Sequence, residues 1–513
     1  MAIGIEHLPE DPKVLQKMVL DLTAQLDRES AERHKVETIL RELIEARRSR
    51  KSEQLSADQL ALFAAVWDAR QKRENGESDE APKDQDNDPK PDSSPKKKMK
   101  NGGGRQPLSP HLKRERIVHD LPDAEKHCAV CAQDLRPIGE ESSERYEYIP
   151  AQLVVVEDVC KKYACECTVR TATKPAQPIE KSIAGASLLA EVIVAKTADH
   201  VPLYRQEKIF ERHGVEISRK TMGGWMGQVA GLMKPLYEAA KEVLFQSKVV
   251  GTDDTGVKVL DDQLPYARTG RIWPYRGDEE HPVVVFDYTK TREKVGPEKF
   301  LEGYRGYLQV DAYGGYDAFF KNPGRGLVEV GCWSHARRYY HKALESDVGR
   351  MGPALWFIAE LYQVEERAAP MTAAERLCLR QTESKPILQK LHSYLEKIQE
   401  EVLPKSPSGR AVRYSLKNWT ALTRYCEDGD LSIDNNATER DIRGVAVGRN
   451  NWIFFGSDRG GQTAAILRSF TASCQRVDVE PFAWFKDVLS RIATHPINRI
   501  AELLPHNWKP VPA

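Results

Sequence analysis

The chain has 513 residues, with 76 Lys and Arg balanced by 76 Asp and Glu, so its formal net charge is zero. This length predicts three or more domains, and a hydrophobic content of 40% is enough for packed cores. The neutral balance excludes a globally basic protein, so any nucleic-acid surface must come from local clusters of charge. Without a membrane-spanning run or a secretory signal, we expect a cytoplasmic protein whose nine cysteines serve as metal ligands before disulfides.

Residues 1–71 are predicted to form a coiled coil followed by a second helix. Steps of four and three residues pick out Leu15, Val19, Leu22, Leu26, Glu29, Arg33, Val36, Leu40, Leu43 and Arg47. Seven of these ten positions are apolar, which is typical of a heptad seam with a polar break. The alternative is one amphipathic helix packed on its own domain. Ser56 is the predicted N-cap of the second helix.

Residues 72–110 have almost no large apolar side chains and many Pro, Gly, Asp and Lys, which predicts a disordered linker. Residues 111–180 then contain Cys128-x-x-Cys131, one half of a zinc knuckle. The second half is either Cys165-x-Cys167 or Cys160 with Cys165. We expect a structural zinc ion here, with a degenerate knuckle that holds no metal as the alternative.

Residues 181–245 are predicted to be helical. His213 and Gly214 form a helix-stop signal, and Ser218 is the predicted N-cap of the next helix. This spacing is typical of a helix-turn-helix and sets Arg219 and Lys220 at the start of the helix that would meet DNA. An ordinary helical connector has the same punctuation.

From residue 246 the pattern changes to strands. The order β-β-β-α-β-α-β-α over 246–346 predicts a mixed α/β sheet of the ribonuclease H type. Residues 347–430 have almost no strand signal and predict an α-helical insertion. The second part of the core, 431–477, would contain a helix over Ile433–Val447 capped by Asp434 and an extended segment over Trp452–Phe455. A helical, then proline-rich tail follows over 478–513.

Three acids have the placement that metal-dependent chemistry requires. Asp253 and Asp311 each end a predicted strand, and in a ribonuclease H-like sheet the first and fourth strands are neighbours. Glu439, on a nearby helix, would complete the cluster. Converging carboxylates repel one another unless divalent cations neutralise them, and Mg²⁺ prefers oxygen ligands. Two such ions, about 3.5–4 Å apart, can activate a nucleophile and stabilise the leaving oxygen in phosphodiester chemistry.

Each acid also has an ordinary interpretation. Asp253 and its neighbour Asp254 are both candidates for a strand-end turn, and the pattern does not separate them. Asp311 would cap a helix, and Glu439 would pair with Arg443 at i,i+4. The three acids together, each where the fold needs one, favour catalysis. The basic residues around Glu439 would then contact substrate phosphates: Arg440, Arg443, Arg449 and Arg459.

Several stretches resemble the transposases of the insertion-sequence-66 family. These are "TDDTGVKVL", "LQVDAYGGY", "GCWSHARRYY", "DNNATERDIRGVAVGRNNWIFFGSDRGG" and "VEPFAWFKDVL", with "HCAVC…YACEC", "DHVPLYRQEKIFERHGVEISRKTMGGWM" and "LLPHNW" also similar. The resemblance implies that Asp253, Asp311 and Glu439 are the DDE acids. The family pattern is Asp-Glu-Thr where this chain has Asp253-Asp254-Thr255, and Cys-x-x-Cys where it has Cys165-x-Cys167. His335, near the start of the implied insertion, is a candidate ligand or base, but we interpret it as a packed or capping histidine.

The resemblance implies a DDE transposase that binds the ends of an insertion sequence, cuts DNA with two Mg²⁺ (or Mn²⁺) ions, and joins the freed 3′-hydroxyl to target DNA. The zinc module (Cys128, Cys131, Cys165, Cys167) and residues 186–233 would recognise the ends. The coiled coil would pair two protomers, and two small accessory proteins are implied partners. We expect nucleoid association and no membrane partner. The alternatives are a catalytically inactive, transposase-derived DNA-binding regulator and a ribonuclease H-like nuclease that cuts without joining.

Overall fold

The computed structural model describes residue 23 and residues 55–74, 152–164, 169–172, 176–261, 263–311, 316 and 320–510. The chain divides into two compact units, one of residues 1–78 with 160–513 and one of residues 79–159. In the second unit only 152–159 are described, and they have no regular secondary structure. The predicted heptad seam and the zinc-knuckle cysteines Cys128, Cys131, Cys165 and Cys167 lie outside the described residues, as does nearly all of the predicted linker.

The elements before the main sheet are α1 (Ala57–Glu74), β1 (Lys162–Ala164), β2 (Val169–Thr171), α2 (Ala186–Thr197), α3 (Leu203–Arg212), α4 (Arg219–Leu232) and α5 (Lys234–Gln246). The predicted N-cap of α1 is confirmed, because the Gln59 backbone N–H donates to Ser56 Oγ at 3.2 Å. Phe63 of α1 is fully buried and packs closely against Gly352 of a later helix. The α1 helix therefore belongs to a helical core of the same unit.

Helix α3 ends and helix α4 begins where the sequence predicts. Helix α3 ends at Arg212, and Gly214 follows with φ at +77°, a conformation that glycine adopts without strain. Ser218 Oγ accepts the backbone N–H of Thr221 and caps α4. The predicted helix stop and N-cap are therefore confirmed, and a six-residue connection, His213 to Ser218, joins the two helices; a helix-turn-helix role stays a prediction.

The main sheet contains β3 (Val249–Thr252), β4 (Thr255–Val259), β5 (Arg268–Arg276), β6 (Val284–Thr289), β7 (Gly306–Gln309), β8 (Leu327–Val330) and β9 (Phe454–Phe455), with α6 (Val295–Phe300) between β6 and β7. Both β3 and β4 pair antiparallel with β5 in one continuous register. The two residues between them, Asp253 and Asp254, interrupt the strand opposite Trp273 and Pro274, and proline has no N–H for a ladder hydrogen bond.

The other pairings complete a mixed sheet. Strand β6 pairs antiparallel with β5, while β7 lies parallel to β3 and β8 parallel to β7. Strand β9 lies parallel to β4. The predicted strands of residues 246–346 are therefore confirmed, and the sheet mixes parallel and antiparallel pairs as expected. The helix predicted between β7 and β8 falls in a segment where residues 312–315 and 317–319 lie outside the described ranges.

Helices alone fill the region after β8 up to residue 423 in the described chain: α7 (Trp333–Ala343), α8 (Val348–Ala368), α9 (Ala373–Leu379), a π turn (Arg380–Ser384), α10 (Lys385–Glu401), α11 (Pro407–Lys417) and α12 (Trp419–Thr423). Polar N-cap residues explain where several of these helices begin. Asp347 caps α8, Ser406 caps α11, and Thr372 forms a capping box with Glu375 at the start of α9. The absence of strands predicted for 347–430 is confirmed.

The C-terminal elements are α13 (Asn436–Trp452), α14 (Asp458–Arg476), α15 (Pro481–Arg491) and a 3₁₀ segment (Ile497–Leu503). The predicted bounds of α13 were wrong at both ends, since Ile433 and Asp434 precede the helix and Trp452 is its last residue. Asp434 instead accepts the backbone N–H of Asn436 through Oδ1 at 3.1 Å. Among the described helices, none is long and apolar enough to cross a bilayer.

Candidate active site

The first two predicted acids follow neighbouring parallel strands. Gly251 of β3 lies opposite Gln309 of β7, and the chain reaches Asp253 and Asp311 two residues later on each strand. The carboxyl ends of parallel strands meet at one edge of a sheet, so both aspartates leave the sheet at the same level. The expectation that the strands carrying them are neighbours is therefore confirmed.

The start of α13 is bonded directly to this edge. Asn435 Nδ2 donates to the carbonyl of Thr252 at 2.8 Å, and Gln309 Nε2 donates to the carbonyl of Ser432 at 2.8 Å. The helix approaches so closely that a Cβ on Gly251 would lie 2.3 Å from Thr438 Oγ1. Glu439 is the next residue, so its backbone is held over the ends of β3 and β7.

Asp253 interacts electrostatically with the other acids. Burial raises the pKa of Asp253 to about 7, against an opposing backbone hydrogen bond from the Asp254 N–H, and the negative charges of Asp311, Asp254 and Glu439 raise it further. A carboxyl group with this pKa binds a proton or a cation in preference to remaining charged and alone. The structure thus brings the three sequence-predicted acids into one electrostatic neighbourhood.

Asp254 has the opposite environment, although it is adjacent in sequence. Its side chain is only 3% exposed and accepts 2.8 Å and 2.7 Å hydrogen bonds from the guanidinium groups of Arg271 and Arg292. Two cations therefore neutralise Asp254, whereas Asp253 has no ion pair among the described residues. Period two along a strand explains the contrast: Gly251, which faces α13, shares its side of the sheet with Asp253, and Asp254 falls on the other side.

Glu439 lies in the first turn of α13 and turns toward α7. Its Oε1 atom is buried and accepts no hydrogen bond within the described chain. His335 Nδ1 lies 3.6 Å from Oε1, and Arg338 Nη2 lies 4.0 Å from Oε2. These contacts come from a different helix, so the pairing with Arg443 that the sequence suggested is not among the ion pairs of the described residues.

The arginines predicted to contact phosphates differ in their surroundings. Arg440, Arg443 and Arg459 are exposed. Arg449 is half-buried, and its Nη1 donates to Thr255 Oγ1 at 2.8 Å and to the Gly256 carbonyl at 2.7 Å. Arg449 therefore ties α13 to β4, whereas the other three have side chains in solvent. Arg219 and Lys220 are also exposed, at the start of α4.

Comparison with known proteins identifies the family. A family model described as "Transposase IS66 family" matches residues 181–463, more than half of the chain. The chain belongs to the IS66 transposase family. Further models match the IS66 C-terminal element at 469–506, the zinc-finger binding domain of transposase IS66 at 125–168, and the transposase C of IS166 homeodomain at 36–117.

Two curated proteins are similar to most or nearly all of the chain. The uncharacterized protein y4jD of Sinorhizobium fredii is 30% identical and covers 99% of this chain and 98% of its own. A second protein of that organism, y4hP, is 32% identical and covers 79% of this chain and 77% of its own. The zinc-finger match includes Cys128, Cys131, Cys165 and Cys167, and Cys160 lies within it as well.

Sequence reasoning did not anticipate the group that faces Glu439. His335 was interpreted as a packed or capping residue, and neither Cys332 nor Arg338 was considered. In the structure His335 Nδ1 lies 3.3 Å from Cys332 Sγ, and both residues belong to the loop and first turn that follow β8. The Cys-x-x-His spacing at a helix start was the available signal, because residues three apart lie on one helix face.

Proposed function

We propose that this IS66-family protein is a DDE transposase whose acids are Asp253, Asp311 and Glu439. One observation carries the proposal: β3 and β7 end side by side, and the start of α13 is hydrogen-bonded to both ends. The topology supports a ribonuclease H-like core over 246–346 and 431–477. Five of its strands follow the order β6, β5, β3, β7, β8, and β4 pairs with β5 beyond the end of β3; the first three strands are antiparallel and the last three are parallel.

The donor set fits hard divalent cations. All three side chains offer carboxylate oxygens, the ligands that Mg²⁺ and Mn²⁺ prefer. The raised pKa of Asp253, caused by burial and neighbouring acids, and the buried Glu439 Oε1 without a hydrogen bond both indicate a missing positive charge. Asp253, Asp311 and Glu439 would hold two such ions, which supply Lewis acidity toward the scissile phosphate when bound. Asp254 is satisfied by arginines and is not part of the set.

The chain's own residues would position the substrate. Exposed Arg440, Arg443 and Arg459 lie on or just after the helix that carries Glu439 and would contact phosphate oxygens, which orients the DNA backbone over the acids. The reaction would be hydrolysis of a phosphodiester at each element end, followed by attack of the freed 3′-hydroxyl on target DNA. Both steps displace one oxygen at phosphorus by another, so no covalent enzyme intermediate is required.

The remaining modules would bind the element ends and pair the protomers. Arg219 and Lys220 start the second helix of the α3–α4 pair and would contact the element end, together with a zinc module held by Cys128, Cys131, Cys165 and Cys167. The predicted coiled coil would pair two protomers so that two ends are held together. Two small accessory proteins would be further partners, and the complex would associate with the nucleoid.

The decisive experiment compares Glu439→Gln with Glu302→Gln, an exposed acid between α6 and β7. The full chain, together with the two accessory proteins, is incubated with Mg²⁺ and a DNA fragment that carries the inverted repeats bordering its gene. We expect cleavage and strand-transfer products from the wild type and from Glu302→Gln, and binding without cleavage from Glu439→Gln. Cleavage without joined products would favour a nuclease. Binding without cleavage by the wild type would favour a regulator, and either result would overturn the proposal.

A further inference from the structure

Cys332, His335 and Glu439 bring three different ligand types together beside the candidate active site. Cys332 is the residue that precedes α7, and His335 lies in the first turn of that helix. His335 Nδ1 is 3.3 Å from Cys332 Sγ and 3.6 Å from Glu439 Oε1. The three potential ligand atoms all lie within 4.8 Å of one another. Sulfur, nitrogen and oxygen donors thus converge on a single small volume.

These separations match the edges of a tetrahedral zinc site. With bonds of about 2.3 Å to sulfur and about 2.0–2.2 Å to nitrogen and oxygen, two ligand atoms at the tetrahedral angle lie about 3.3–3.7 Å apart. Both measured distances from His335 Nδ1 fall in that interval. Cys332 Sγ lies within 4.8 Å of a Glu439 carboxylate oxygen, so that pair needs at most about 1 Å of side-chain movement to reach the interval.

The surroundings also suit a bound cation. Glu439 Oε1 is buried with no hydrogen bond in the described chain, so its desolvation is uncompensated. The Asn435 backbone N–H donates to Cys332 Sγ at 3.3 Å, a bond that stabilises a thiolate and orients the sulfur. Arg338 Nη2 lies 4.0 Å from the other Glu439 oxygen, Oε2, and is the positive charge that a bound cation would have to tolerate; its side chain is 38% exposed, so solvent screens it.

We propose that Cys332, His335 and Glu439 bind a thiophilic divalent cation such as Zn²⁺, and that this ion withdraws Glu439 from the Asp253–Asp311 site. Thiolate and imidazole ligands select Zn²⁺ over Mg²⁺, whereas a carboxylate serves both ions. One glutamate would therefore be shared by two competing sites. Bound Zn²⁺ would therefore inhibit DNA cleavage, because Mg²⁺ would have to compete with it for Glu439. The inhibition rests on the proposed function, and the binding site does not.

Cobalt spectroscopy tests the binding site by itself. Co²⁺ is titrated into the full chain, and thiolate-to-cobalt charge-transfer absorption is measured for the wild type, Cys332→Ser, His335→Ala and the control Cys474→Ser. Cys474 is buried in α14 and lies outside the cluster. The zinc-module cysteines are the same in all four proteins, so difference spectra isolate Cys332. We expect one equivalent of Co²⁺ fewer in Cys332→Ser, and an affinity loss of at least about 100-fold in His335→Ala.

Equal cobalt stoichiometry and affinity in all four proteins would overturn the binding site. Thermal melting identifies a variant that has failed to fold, and His335→Ala keeps the test decisive if Cys332→Ser is unfolded. Inhibition is measured separately, as the Zn²⁺ concentration that halves Mg²⁺-dependent cleavage. We expect Cys332→Ser to need at least about 100-fold more Zn²⁺ than Cys474→Ser. Cobalt binding with identical zinc inhibition of both variants would refute the shared glutamate, and cobalt binding without any wild-type cleavage would refute only the proposed function.

Discussion

Gly251 is the position where the fold and the proposed chemistry are most tightly coupled. A Cβ added there would lie 2.3 Å from Thr438 Oγ1 and 3.1 Å from Asn435 Oδ1. Ordinary contact begins near 3.4 Å, so Gly251→Ala forces the start of α13 away from β3 by about 1 Å. Overpacking of this kind costs about 1–3 kcal/mol of folding free energy. Displacing a catalytic group by about 1 Å costs on the order of 100-fold in rate.

We therefore expect Gly251→Ala to melt at a lower temperature and to cleave DNA about 100-fold more slowly, while it binds DNA normally. Thermal melting and single-turnover cleavage measure the two effects. Gly349→Ala is the matched control, because an added Cβ at this helical glycine meets no atom within 4 Å.

A second-site change tests the mechanism of the Gly251→Ala effect. In Gly251→Ala/Thr438→Ala the clashing hydroxyl is absent, and the atom left behind, the Cβ of residue 438, is 3.6 Å away, an ordinary contact. We expect this double variant to regain most of the lost cleavage rate. If Gly251→Ala cleaves and melts like the wild type, the start of α13 does not rest on β3 and the reasoning about Glu439 fails.

Three further perturbations test separate parts of the structure. Burial raises the pKa of Asp253 from 3.8 to about 7, so without metal the ionised side chain destabilises the fold. Urea unfolding should show the free energy of unfolding of the wild type falling between about pH 4 and 7, by at most about 4 kcal/mol. The Asp253→Asn variant should show no such fall. Ile453 has φ at +63° and a largely exposed side chain, so Ile453→Gly should raise stability by about 1 kcal/mol in the same assay, whereas Ile453→Ala should not. Arg443→Ala should leave melting unchanged and reduce the slope of log K against log salt by about 1, whereas Arg449→Ala should lower the melting temperature; equal behaviour of the two would contradict their different surroundings.

The strands and the order of the acids could be predicted because they depend on local pattern. The apolar runs of β3, β6 and β7 and the caps at Ser56 and Ser218 are properties of short segments. The start of α13 could not be predicted in the same way. Ile433 looks helical in sequence, but its carbonyl accepts the backbone N–H of Trp333, so contact with a distant helix start keeps residues 431–435 outside the helix. Tertiary contact overrides the local preference there.

The distinction between Asp253 and Asp254 shows the same limit at the site. Both residues follow β3 and have the same chemistry, and the difference between them comes from partners 17 and 38 residues away, Arg271 and Arg292. No local pattern signals these partners. The sequence did not predict the neighbours of Glu439 for the same reason, because His335 lies on a helix about a hundred residues earlier in the sequence. The sequence therefore predicted that the strands leading to Asp253 and Asp311 are neighbours, and left open what surrounds each acid.

The helical insertion, which separates the second acid from the third in sequence, also holds both in place. Tyr414 of α11 donates its hydroxyl to the backbone carbonyl of Asp311 at 3.1 Å. Tyr362 of α8 donates to Asp434 at 2.8 Å, just before the helix that carries Glu439. One contact holds the main chain of Asp311 and the other holds the side chain of Asp434 just before α13, so these helices are part of the framework of the proposed site. A core without these helices would still contain all three acids. It would lose the hydrogen bonds from Tyr414 and Tyr362 that hold the chain at Asp311 and just before Glu439.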